Sequence, residues 1–259
     1  VQEALQERGI MANIAPHLFY RQSFLIPNYQ WWRQPYYYFG MKVYDMLAGR
    51  LGIGKAASLS ADETARRLPN LNPGSLKGGV VYRDGQFDDA RLAINLAQTI
   101  NDKGGCALNY MGVEGLLKDS EGRITGVKAL DQETGDQYEL KANAVVNATG
   151  VFADGVREMD EKQEGATITP SQGVHLVLDR TFMPSDDAMM IPQTPDGRVL
   201  FLIPFHDKIV VGTTDTPVKE TNIEPQPYLH EVDFILETAQ QYLAKKPTRA
   251  DVKSVFAGL

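Results

Sequence analysis

The chain has 259 residues, 43% apolar and 23% charged, and 33 acidic side chains against 26 basic ones leave a formal charge of −7. This is the composition of a folded chain rather than a collagen, a coiled coil or a disordered segment, and the acidic balance argues against nucleic acid as a partner, because phosphate contacts need clustered Lys and Arg. A single cysteine, Cys106, rules out an internal disulfide and a cysteine-rich metal site and points to a reducing compartment.

No apolar run approaches the roughly 18 residues of a membrane span, and the start lacks the pattern of a secretory leader. Val1 is neither an initiator methionine nor a helix cap, and the strand-like Val255–Leu259 stops without turn residues. The chain therefore reads as a piece of a longer polypeptide.

In chain order, residues 1–15 are good helix formers that end before Pro16. Residues 28–44 are densely aromatic, and Pro35 suits the first turn of a helix reaching about Ala48. With Arg33 and Lys42 beside it, this stretch suits a membrane interface or the wall of an apolar pocket, but packing as core is the favoured reading. Gly52-Ile53-Gly54-Lys55-Ala56-Ala57 matches a dinucleotide-binding pattern. It is rejected because that fingerprint needs a buried strand before the first glycine, and Val43–Arg50 is helix-like. Ser60 and Glu63 form a capping box for a short helix ending before Pro69.

Gly79–Tyr82 reads as a strand, with Arg83-Asp84-Gly85 as a turn. Asp88 caps a helix through Asp102, with Leu92, Leu96 and Ile100 on one stripe, and Lys103-Gly104-Gly105 stops it. Four short strands are expected at 106–117, 123–130, 136–142 and 143–148, the last a buried parallel strand. Val174–Leu178, Ala188–Ile191, Val199–Pro204 and Ile209–Gly212 are strands of an antiparallel sheet. Their turns fall at Thr194–Gly197 and His206–Lys208. A helix over 228–244 buries Leu229, Val232, Leu236, Ala239 and Leu243.

Three segments carry candidate chemistry. Asn147-Ala148-Thr149-Gly150 ends a strand in small residues, which lets a ligand approach the backbone, though an ordinary strand-to-helix turn reads equally well. Gly212-Thr213-Thr214-Asp215 offers two hydroxyls and a carboxylate behind a glycine, and suits a polar ligand or a self-capped turn. Gly173 permits close backbone approach beside His175, whose imidazole can exchange a proton near neutral pH, although a histidine in a strand is more often structural. His17, His206 and His230 read as surface residues. No His, Cys and carboxylate cluster has metal-ligand spacing, so no metal is expected.

Taken together in this order, Asp88-Asp89-Ala90-Arg91-Leu92, Asn147-Ala148-Thr149-Gly150, Gly173-Val174-His175 and Gly212-Thr213-Thr214-Asp215 resemble FAD-dependent glycerol-3-phosphate dehydrogenases. So do Glu3–Arg8, Ala15–Leu18, Phe201–Phe205 and Val255–Leu259. The resemblance implies a mixed α+β or α/β fold of D-amino-acid-oxidase type, an antiparallel-sheet substrate domain with part of a Rossmann-like FAD domain. It divides the chain into cap segments of the substrate domain (1–87), part of the FAD domain (88–150) and a substrate-binding sheet with helix 228–244 (151–259).

The implied reaction oxidises sn-glycerol 3-phosphate to dihydroxyacetone phosphate, with hydride passing to FAD and electrons to a quinone or, in oxidase relatives, to oxygen. By the same resemblance His175 is the catalytic and substrate-binding histidine, and Thr213 and Thr214 bind substrate. Val113, Ala148, Thr149, Gly150 and Gly173 line the cofactor. The family's N-terminal glycine loop and its phosphate-binding arginines have no counterpart here, so weak or no FAD binding and no turnover are expected of this piece alone. A peripheral position at the inner face of the cytoplasmic membrane and a homodimer are further expectations of the resemblance. The alternatives are a related flavin oxidase acting on an amino or hydroxy acid, and a non-catalytic binding module.

Overall fold

A computed structural model describes residues 1–161, 165–194 and 197–259. The elements in chain order begin with α1 (Gln2–Ile14), β1 (Tyr20–Asn28), α2 (Arg33–Ala48), β2 (Ala57–Ser60), α3 (Ala61–Arg67) and β3 (Gly78–Gln86). Next come α4 (Asp89–Asp102), β4 (Met111–Lys118), β5 (Ile124–Asp131), β6 (Gln137–Lys141) and α5 (Ala153–Glu158). The last are β7 (Ser171–Asp179), β8 (Ala188–Ile191), β9 (Leu200–Phe205), β10 (Lys208–Gly212), β11 (Thr216–Pro217), α6 (Leu229–Tyr242) and β12 (Ser254–Gly258). The mixed α/β architecture expected of the sequence is present.

The chain divides into two compact units, one of residues 1–92, 172–216 and 224–258 and a smaller one of 93–171, 217–223 and 259. β1 and β3 from the first third join β7 to β10 from the last in one sheet. Its strand order is β11-β7-β10-β9-β8-β1-β3-β2, with β12 added along β7.

Alternation along the strands gives this sheet two unlike faces. On β7, Val174, Leu176 and Leu178 are buried while Gly173, His175 and Val177 are half-exposed. On β9, Leu200 and Leu202 are buried while Phe201 and Ile203 are half-exposed. A period of two in a strand separates the two sets cleanly. The buried face packs with Ile235, Leu236 and Ala239 of α6, with Leu68 and Leu71 beyond α3, and with Phe182 and Met183. Over β1 and β3 the opposite face is covered by Tyr37, Tyr38, Met41 and Tyr44 of α2, which meet Phe24, Ile26, Val80 and Tyr82.

Several expectations need correction. Arg83-Asp84-Gly85 is not a turn but the continuation of β3, because β1 pairs with it through Ser23↔Arg83, Gln22↔Asp84 and Arg21↔Gly85. Leu229 is exposed at the first residue of α6 rather than buried on its stripe. The aromatic stretch is only half core: α2 buries one side, while Trp31, Trp32, Tyr36, Phe39 and Met46 remain exposed. The turn at Thr194–Gly197 includes residues 195 and 196, which lie outside the described residues.

The smaller unit holds the antiparallel sheet β4-β5-β6. Residues 143–148 do not form the fourth strand, since a strand exists only where a neighbour takes its backbone groups and no described strand pairs with them. Val146 is accordingly 85% exposed. The apolar stripe of α4 is not buried either: Leu96 and Ile100 are exposed.

Candidate functional site

The most unusual side-chain arrangement of the large sheet centres on β7. Its neighbours are β10 on one side and β12 on the other, so His175 stands between Gly212 and Phe256 in register. Gly212 in turn faces Phe201 of β9. On this face a row runs Phe256, His175, Gly212, Phe201, and the glycine leaves a gap in it.

The imidazole fills that gap. A Cβ on residue 212 would stand 2.3 Å from His175 Cδ2 and 2.8 Å from Nε2, so the ring lies across the glycine backbone where any side chain would collide. On its other side the Phe256 ring is stacked on the imidazole, with centroids 5.1 Å apart and planes 11° apart. Burial holds the His175 pKa below the ordinary imidazole value, with the Asp89 carboxylate opposing weakly. The ring is therefore neutral at pH 7. Neither of its nitrogens has a hydrogen-bond partner among the described residues, which leaves one free to accept a proton.

The segment after β10 continues this edge. The Gly212–Thr213 peptide is cis. Gly173 makes room for the Thr213 side chain: a Cβ at 173 would sit 2.7 Å from Thr213 Oγ1. The Thr213 hydroxyl donates locally to the Thr214 carbonyl at 3.1 Å and is partly exposed beside the histidine strand. Thr214 behaves differently. Its hydroxyl is buried, accepts from the Val174 amide at 3.0 Å and donates to Glu231 at 3.0 Å. That hydroxyl is committed to holding the loop, which leaves Thr213 as the threonine facing outward.

The other candidate residues lie in the smaller unit. Val113 is on β4 beside a register shift between Val113 and Gly115. Ala148, Thr149 and Gly150 are exposed in an irregular segment. There Asn147 Oδ1 accepts from the Thr149 hydroxyl at 2.8 Å, its amide donates to the Ala153 carbonyl at 2.9 Å, and Gly150 takes φ +56°. These bonds shape a turn into a short helix. Among the described residues no His, Cys, Asp and Glu group could hold a metal, and His17, His206 and His230 are exposed.

Two residues at the site carried no signal of their own in the sequence. Phe256 reaches His175 only through the pairing of β12 with β7, some 80 positions apart in the chain. Glu231 reads as an ordinary first-turn helix residue, yet it is 1% exposed.

A cavity of about 570 Å³ lies at the opposite end of β10, near His206, and includes Arg21, Asp88, Arg180 and Asp186. Arg180 is satisfied there by the His206 and Ser185 carbonyls and by Asp186. The open histidine face is the better site.

The fit to a flavin can be judged from these residues. His175, Phe256, Phe201, Ile203 and Val210 give one half-open, mostly apolar face, a suitable floor for a planar aromatic ring. A pyrophosphate needs a glycine-rich turn between a strand and a helix. Gly52–Ala56 is instead a loop after a short 3-10 turn, as its rejection required. The residues here fit the ring end of the cofactor.

The chain belongs to the FAD dependent oxidoreductase family, whose model matches residues 1–259. Within that class its relatives are narrower in kind. The mitochondrial glycerol-3-phosphate dehydrogenase of Schizosaccharomyces pombe is 39% identical over the whole chain and 41% of its own length. The human mitochondrial enzyme of that name is 38% identical over the whole chain and 36% of its own length. The chain thus spans about two fifths of the curated relatives it matches. Among solved structures, the Bacillus halodurans glycerol-3-phosphate dehydrogenase complexed with FAD superposes with a TM-score of 0.82 at 32% identity, covering 97% of this chain and 46% of that one. The FAD-bound L-alpha-glycerophosphate oxidase of Mycoplasma pneumoniae shares the fold, with a TM-score of 0.70 at 13% identity.

Proposed function

We propose that this chain supplies the substrate-facing sheet of an FAD-dependent dehydrogenase that oxidises sn-glycerol 3-phosphate to dihydroxyacetone phosphate. The observation that carries the reading is the neutral, unpartnered His175 imidazole lying over Gly212 on an open apolar face. FAD, when bound, would supply the acceptor for the hydride of the alcohol carbon. His175 Nε2 accepts the hydroxyl proton, so the carbonyl forms without an alkoxide in water. The imidazole lies directly over Gly212, and pre-orientation of a proton acceptor lowers the entropic part of the barrier. Thr213 offers its hydroxyl to the substrate at the end of the same edge, and Gly173 keeps that approach open.

In this reading electrons pass on to a quinone, and the protein sits peripherally on a quinone-bearing membrane. No helix among the described residues is long and apolar enough to cross one. The outward side of α2 supports surface contact: Trp31 is 79% and Phe39 72% exposed, and between residues 31 and 55 Arg33, Lys42, Arg50 and Lys55 outnumber the single carboxylate of Asp45. Exposed tryptophan and tyrosine with flanking cations are the side chains of a headgroup interface.

The test is turnover on glycerol 3-phosphate, with a dye acceptor, of an FAD-loaded polypeptide that carries this chain together with a pyrophosphate-binding glycine loop. His175→Gln should lower kcat about 10²- to 10⁴-fold, the usual contribution of a positioned proton acceptor. Unchanged turnover would sink the proposal. Preference for an amino or hydroxy acid over glycerol 3-phosphate would transfer the same site to the related oxidase chemistry.

A further inference from the structure

We propose that Phe256 is a positioning residue for His175, its ring fixing the plane of the imidazole and keeping water off one side of it. The inference rests on the role given to His175 above, but its structural basis is independent. Phe256 and His175 are directly opposed on β12 and β7, and their rings are stacked 5.1 Å apart. Gly212 opposes His175 on the other flank, and the ring leans over that glycine. The imidazole is thus held between an aromatic plane and a bare backbone.

Phe256 does not spend itself on the core. Its strand neighbours Val255 and Ala257 pack with the buried cluster on the other face, while Phe256 itself is 48% exposed.

The charged groups around His175 are few. Asp89, at the start of α4, favours its protonated form. On β7 itself Asp179 is engaged by Lys208 of β10 at 3.5 Å and by Lys253, next to β12, at 3.2 Å. These ion pairs lie four residues along the strand from the imidazole. Desolvation is the larger influence on His175, and Phe256 is the apolar group stacked directly on it. Losing its ring should let the imidazole hydrate, rotate and protonate more readily.

The experiment is an NMR pH titration of the His175 ring protons in the 259-residue chain, assigned by their loss in His175→Gln. Phe256→Ala should raise the midpoint toward the ordinary imidazole value and abolish the ring-current shift of the His175 resonances. Phe256→Tyr should preserve both. Phe256→Leu, which keeps apolar bulk on the strand, provides a folded comparison should the alanine variant unfold, and it too should lose the ring-current shift. In the FAD-loaded protein the acid limb of the kcat/KM profile should move upward in Phe256→Ala, with kcat falling about tenfold and KM changing less. A midpoint and resonance positions unchanged in Phe256→Ala would overturn the proposal. If the titration moves as expected while His175→Gln turns over normally, the clamp stands and the proposed reaction falls.

Discussion

Thr214 and Glu231 are joined by a 3.0 Å hydrogen bond in which the threonine hydroxyl donates to the carboxylate. Glu231 also accepts from the Thr216 hydroxyl at 2.5 Å, from the Gln172 amide at 2.8 Å and from the Tyr228 backbone N–H at 2.8 Å. One buried carboxylate therefore ties the start of β7, the loop after β10 and the first turn of α6 together. Burial works against its ionised form, but the four donors outweigh burial and hold its pKa below the ordinary glutamate value. A buried charge is tolerated only when its acceptor sites are filled in this way.

Glu231→Ala should accordingly be among the most damaging single changes to the site loop, at about 3 kcal/mol, since it strands several buried donors at once. Urea unfolding at pH 7 measures this directly. The folded-state pKa is lowered, so the carboxylate's stabilisation is present in full above its unfolded pKa and is lost as pH falls through the folded value. Wild type should thus lose stability on acidification below about pH 4.5, the ordinary value for the residue. Glu231→Gln should start less stable and show a shallower acid loss.

A second, partly buried attachment joins α3 to the segment before β8. Arg67, the last residue of α3, donates two hydrogen bonds to Asp187, just before β8, at 2.6 and 2.5 Å. Two-point guanidinium–carboxylate pairs are stronger and more directional than single contacts. Asp187→Ala should cost about 2 kcal/mol by thermal or urea unfolding. Arg67→Lys should recover only part of the loss in the reverse direction, because an ammonium cannot span both oxygens.

Much of this fold was legible in local pattern. The capping box forms as expected, with Ser60 accepting from the Glu63 amide and the Glu63 carboxylate accepting from the Ser60 amide. The alternation of β7 placed His175 on the face opposite Leu176, since a period of two leaves no other choice. What stayed hidden depended on distant partners. Arg83-Asp84-Gly85 has turn chemistry, but Arg8 and Tyr44 hold Asp84 while β1 pairs the backbone. Ala144–Ala148 has strand chemistry without a described neighbour. Thr214 and Thr213 are indistinguishable by type, and a glutamate 17 positions away decides which hydroxyl turns inward.

The outward side of α2 yields a prediction separate from catalysis. Trp31 and Phe39 are exposed and make no contribution to the core beneath Tyr37, Tyr38, Met41 and Tyr44. Replacing both with Ser should leave the unfolding midpoint within experimental error. It should weaken binding to vesicles containing anionic lipid by about 10²-fold or more, because each buried aromatic is worth about 1.5–3 kcal/mol. Sedimentation with vesicles, read alongside tryptophan emission from Trp32, tests this. Equal sedimentation of wild type and variant would overturn the proposal that α2 contacts a membrane.

Gly212→Ala tests the site with one methyl group. The new Cβ would meet the imidazole at 2.3 Å, and Phe256 closes the opposite side, so the ring cannot stay in place. It must swing out of its place in the row between Phe256 and Phe201. The collision is with a side chain rather than backbone, so β10 can keep its pairs with β7 and β9. The expected result is a loss of kcat of about 10²-fold, the scale of misplacing a reacting group by an ångström, with far smaller effects on unfolding. Because Gly212 carries no functional group, such a loss would mark the glycine as space reserved for the imidazole. Normal turnover in Gly212→Ala would mean that the proton leaves the substrate alcohol by another route.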